Sequence, residues 1–171
     1  ILDNGVLTIA GTSSFTTSAT DADIILDGLD ASSSALTHVL TGAVTLNTTG
    51  DDGNATVKNG STALDIAASS VDGAFILTTT AAATVVNDSG LDFGATTVGG
   101  ALTATATTGD ITDSGVLAIT GAATFNAADG RSIDLGSAST FASTLDFNAT
   151  SGTLNSVWID DSTALALQAT T

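Results

Sequence analysis

Asp160 and Asp161, adjacent in "SVWIDDS", are by residue type the pair best suited to acid–base chemistry. Cleavage of a glycosidic bond uses two carboxylates that flank it. Neighbours on a strand, however, point to opposite faces, and a site for an acidic sugar would add Lys, Arg or His. The chain offers Lys58, Arg131 and His38, far apart in sequence. Solvated turn aspartates are therefore the favoured reading of the pair. His38 sits in the strand-like run "ALTHVLTG", with no second ligand or nucleophile near it. Trp158, the one tryptophan, is expected to pack in an ordinary way, with a lid or an assembly contact as alternatives. Calcium takes carboxylate and carbonyl oxygens, and its best candidate clusters are Asp21 with Asp23 and Asp51 with Asp52. Neither matches an EF-hand loop or the Gly-Gly-x-Gly-x-Asp nonapeptide. A phosphate loop and a dinucleotide glycine fingerprint are absent from the sequence. The reading thus assigns no catalytic, cofactor-binding or metal-ligating residue, and calcium is the one candidate ion. Sequons begin at Asn47, Asn54, Asn59, Asn87 and Asn148, a weak hint of glycan attachment in a chain rich in Thr and Ser.

Composition narrows the partners. All 18 acids are Asp, against 2 basic residues, for a net charge of −16. Such a surface repels nucleic acid, whose phosphates demand a basic footprint, and it does not dock on an anionic membrane. No apolar run approaches the length of a membrane-spanning helix, so membrane insertion is not expected. With no Cys there is neither a disulfide framework nor a thiolate metal site. The chain opens in mid-pattern at "ILDNGVLTIAG" and ends in mid-pattern at "STALALQATT". It therefore reads as a segment of something longer or as a processed product.

The elements that must hold these residues are strands. Apolar residues recur at every second position over runs of four to seven, the period of a strand. Gly, Asn, Asp and Ser interrupt the runs and supply turns. The Ala-rich "TTTAAATVV" at 78–86 is the nearest approach to a helix, but its Thr and Val favour strand. The runs also repeat. "NGVLTIAGTSSFTTS" at 4–18 aligns with "SGVLAITGAATFNAA" at 114–128, and the match extends to relate 4–50 to 114–155, with Leu36 set against Leu145. "GAVTLNTTGD" at 42–51 resembles "GALTATATTGD" at 100–110.

A sandwich would show two-residue hairpin loops and larger core residues. Parallel coils stacked at about 4.8 Å fit better: equivalent residues pile into ladders, and a narrow interior admits Ala, Val, Leu and Ile. The expected fold is all-β, a parallel β-helix (β-solenoid) of about seven or eight coils, with 1–171 as a single segment. The inward positions are expected to be Leu7, Ile9, Phe15, Leu26, Val44, Leu46, Leu64, Ile66, Phe75, Leu77, Leu91, Phe93, Leu102, Leu117, Ile119, Phe125, Ile133, Leu135, Leu145, Phe147, Leu165 and Leu167.

"LDFGATTVGGALTATATTGDITDSGVLAITGAATFNA" at 91–127 resembles the β-helical repeats of filamentous-haemagglutinin-like adhesins and related giant bacterial surface proteins. The resemblance runs over most of 91–150 and again over 4–50. It implies a right-handed parallel β-helix, secretion, and a place on the bacterial cell surface or in an extracellular fibre. The expected function is structural and adhesive rather than enzymatic. Partners would be the chain itself, head to tail or as covalent neighbours, and a carbohydrate or cell-surface receptor. The alternative is a carbohydrate-active β-helix enzyme, a polysaccharide lyase or hydrolase.

Overall fold

The computed structural model describes residues 1–28 and 37–168. Leu36, aligned above with Leu145, lies outside them. Among the described residues there is no helix, and every strand pairing is parallel. The fold is a β-solenoid with three faces. The first face is an eight-stranded sheet running from Ser13–Thr16 through Val44–Asn47, Leu64–Ser69, Ala83–Asn87, Leu102–Ala106, Ala123–Ala127 and Thr144–Ala149 to Ala166–Leu167.

A nine-stranded sheet bends to supply the other two faces. Its strand Ala74–Thr79 pairs at one end with Leu91–Phe93 and at the other with Thr96–Val98, two strands of the same next coil. Ile111–Asp113 and Leu117–Ile119 repeat this division, and Ser132–Phe141 spans both faces in one strand. The second face thus holds Ile24–Leu26, Leu91–Phe93, Ile111–Asp113 and Ser156–Asp161. The third holds Thr96–Val98 and Leu117–Ile119, and the pair Thr8–Ile9 with Val39–Leu40 extends it. "TTTAAATVV" is a corner at 80–82 between two strands.

The eight strands of the first face, one from each coil, span seven coil-to-coil steps. Coils are uneven: hydrogen bonds between neighbouring coils join residues 31 apart at the Asp23–Asn54 corner and 16 to 24 apart later. A long first coil consumes chain that an even pitch would have given to another.

The core is the predicted ladder. Leu26, Val44, Leu46, Leu64, Ile66, Phe75, Leu77, Leu91, Phe93, Leu102, Leu117, Ile119, Phe125, Ile133, Leu135 and Leu145 are buried. Leu7, Ile9, Phe15 and Phe147 pack against them half-buried. Phe125 is the hub of an aromatic cluster, edge-on to Phe93 and Phe141 and stacked on Phe147 at 5.8 Å. Two of the expected positions are not buried. Leu165 and Leu167 are 44% and 61% exposed. Leu167 continues the inward ladder beside Leu145, but no further described coil covers it.

Candidate functional site

The polar side chains that bear chemistry sit at the corners of the coils. One set points inward. His38, Asn59, Ser69, Asn87, Thr96 and Ser139 are buried among aliphatic ladders. Each accepts a backbone N–H from the preceding coil that the strand ladder leaves unpaired. Leu7 donates to His38 Nδ1 at 3.0 Å, Leu40 to Asn59 Oδ1 at 3.0 Å and Leu46 to Ser69 Oγ at 3.0 Å. Val71 donates to Asn87 Oδ1 at 3.0 Å, Leu77 to Thr96 Oγ1 at 3.2 Å and Leu117 to Ser139 Oγ at 3.0 Å. A buried amide without a partner costs about 1–3 kcal/mol, so this polar ladder stabilises the corners. His38 with Nδ1 as acceptor carries its ring proton on Nε2, which faces Asp3 Oδ2 at 3.6 Å.

A second set, the aspartates, does related work; most face outward, while the Asp3 side chain is only 5% exposed, beside His38. Asp3 Oδ1 accepts from the Asp27 amide at 3.0 Å, Asp23 Oδ1 from Asn54 at 2.9 Å and Asp110 Oδ1 from Ser132 at 2.7 Å. Asp129 Oδ1 accepts from Thr153 at 2.9 Å, and both oxygens of Asp113 accept from Ser137 at 3.2 Å. A carboxylate that accepts backbone amides is held in place. Burial raises Asp113 above the ordinary carboxylate range, with the nearby Asp134 charge adding to it, against the lowering effect of hydrogen bonds from Ser137 and Gly136.

The candidate calcium clusters meet at one corner: Asp21 Oδ1 lies 3.3 Å from the Asp52 amide, and Asp23 holds Asn54 through its amide and side chain. Among the described residues no three His or Asp side chains are placed to hold a metal ion. Asp160 and Asp161 diverge. Asp161 turns inward beside Ser139, its Oδ1 taken by the Thr163 amide and hydroxyl, while Asp160 is exposed. Lys58, Arg131 and His38 do not join them. Trp158 corrects the expectation of ordinary packing: it stands outward on Ser156–Asp161, 66% exposed. All five sequon asparagines have the side-chain nitrogen engaged in hydrogen bonds, and Asn59 and Asn87 are buried as well.

A depression of about 340 Å³ lies on the second face, lined by Asp72, Ser89, Gly90, Leu91, Asp92, Asp110 and Thr112. A family described as "Repeats of unknown function (DUF5649)" matches residues 80–148. Neither the curated proteins nor the solved structures yield a match. The matched stretch contains Asn87, Thr96, Asp110, Asp113 and Ser139, so it spans several of the corner residues that join coil to coil.

Proposed function

We propose that this chain is a structural and adhesive segment of a bacterial fibre or surface protein outside the cell. One observation carries the reading: its polar chemistry is spent on stacking. Inward Asn, Ser, Thr and His and outward Asp accept the amides of adjacent coils. The reading is non-catalytic, and the divergence of Asp160 from Asp161 supports it. The last described coil presents an inward residue with no described coil over it, Leu167 at 61% exposure. An uncovered strand edge is a template for another strand. In this reading the next coil belongs either to further repeats of the same chain or to a second copy stacked head to tail. A head-to-tail contact does not close on itself and so grows a filament.

Electron micrographs of the native material, with fibre diffraction, test this. The expected result is rods or filaments with an axial spacing of about 4.8 Å. Discrete compact particles at all concentrations would overturn it.

A further inference from the structure

We propose that the outward row of the second face that ends in Trp158 binds an amino-sugar glycan in its protonated form. The proposal rests on the adhesive half of the reading above. Asp92 pairs with Thr112, Asp134 pairs with Trp158, and Thr112 with Asp134, so the four stand in one outward row across four coils. Their spacing is the coil rise of about 4.8 Å, comparable to the advance of one pyranose along an extended glycan. Successive sugars would therefore fall on successive coils.

The two ends of the row differ from the rest of the surface. At one end Asp92 and Thr112 line the depression described above. Asp92 is oriented there by the hydroxyls of Thr112, at 3.2 Å, and Ser114, at 2.6 Å. At the other end Trp158 exposes an indole whose N–H has no partner among the described residues, and the Asp134 carboxylate likewise carries no hydrogen bond there. Gly136 keeps a notch between them: a methyl group added to it would lie 3.4 Å from Asp134 Oδ1 and 3.7 Å from Trp158 Nε1.

Three properties select the occupant. The indole face attracts cations and the partly positive C–H groups of a sugar ring. The free carboxylate and the net charge of −16 favour a positive ligand and repel uronates or sulfated sugars. The neighbouring Ser132, Ser156 and Thr112 offer hydroxyls rather than the wide apolar patch that a protein partner needs. A protonated amino sugar carries an ammonium group, a C–H face and hydroxyls together, and so meets all three.

Trp158 is the one tryptophan, so its emission reports on the site directly. Titration with a glucosamine hexamer at mildly acidic pH is expected to shift that emission, with binding that weakens as salt is added. Calorimetry is expected to show about tenfold weaker binding for Trp158→Ala, and a loss in the same direction for Asp134→Asn, with unchanged melting temperatures. Oligolysine of matched charge should bind wild type and Trp158→Ala alike, and a galacturonate hexamer should not compete. The proposal is overturned if Trp158→Ala binds the glucosamine hexamer as wild type does, if wild type gives no emission change, or if the galacturonate hexamer competes equally. Filament formation is independent of each of these outcomes, so their failure would leave the fibre reading standing.

Discussion

A single residue in this fold is judged by whether its side chain points along the core or closes a corner. Phe125 does the first. It contacts Phe93, Phe141 and Phe147 from adjacent coils, so Phe125→Ala should cost about 3–5 kcal/mol by the cavity it leaves, read as a shift in the urea midpoint. Asn87 does the second. It accepts from the Val71 amide and donates to the Val71 and Gly90 carbonyls and the Ser89 hydroxyl. Asn87→Ala should cost about 2–4 kcal/mol, because buried groups lose their partners, while Asn126→Ala on the outer face should cost under about 1 kcal/mol. Asp113 behaves in the opposite sense. Its carboxyl is raised by burial, so the fold prefers it protonated. That preference stabilises the fold below the ordinary carboxylate range and is lost as pH rises through the raised value. Asp113→Asn keeps one acceptor for Ser137 and removes the ionisation. Its melting temperature should rise relative to wild type between acidic and neutral pH; a gap that shrinks over that range would contradict the assignment.

Strands and corners were not equally legible. Alternation marked the aliphatic ladders because an inward residue in a narrow interior must be apolar and of moderate size, as Leu26, Ile66 and Ile119 are. The polar corner ladder went unrecognised, although its signal was present. Asn87 follows Val85 by two residues, Asn59 follows Val57, Thr96 precedes Val98 and His38 precedes Leu40. Each polar residue thus shares the inward parity of a buried neighbour at a strand end. Parity alone does not say that an amide of the next coil lies there, and that is why spacing suggested no role for His38. Trp158 was misplaced for a related reason. The sequence alone favours ordinary packing, but its parity with Asp160 and its pairing with Asp134 put it outside. Corners also depend on close backbone approach. A side chain at Gly109 would meet the Gly90 backbone at 2.5 Å, whereas at Gly11 it would meet nothing within 4 Å. Gly109→Ala should therefore lower the melting temperature by several degrees, since even 1–2 kcal/mol shifts it by about 2–8 °C, and Gly11→Ala should leave it within about a degree. Equal effects would mean that the two coils do not touch at that corner.

The whole molecule is a stack with one sign of charge. Coils about 4.8 Å apart bring acidic corners closer than the Debye length of about 10 Å at 0.1 M salt. Each stacked coil therefore adds repulsion along with its ladders and corner bonds. The aspartates tolerate this because several are fixed as acceptors: Asp23, Asp110 and Asp129 each hold an amide of the next coil. Two effects of ions then separate. Screening acts on the net charge of −16 and depends on ionic strength, whereas coordination depends on the identity of the cation. The corner where Asp21 and Asp23 meet Asp52 and Asn54 uses Oδ1 of both Asp21 and Asp23 on amides, which takes two oxygens from the six to eight that calcium gathers. The melting temperature should rise with sodium chloride between about 10 mM and 300 mM, the range over which the Debye length falls from about 30 Å to nearly the coil spacing. At matched ionic strength, calcium and magnesium should raise it equally. An excess for calcium that Asp21→Asn or Asp52→Asn removes would show that this corner rearranges to coordinate the ion. An excess that survives both substitutions would move the search to the depression at Asp72, Asp92 and Asp110.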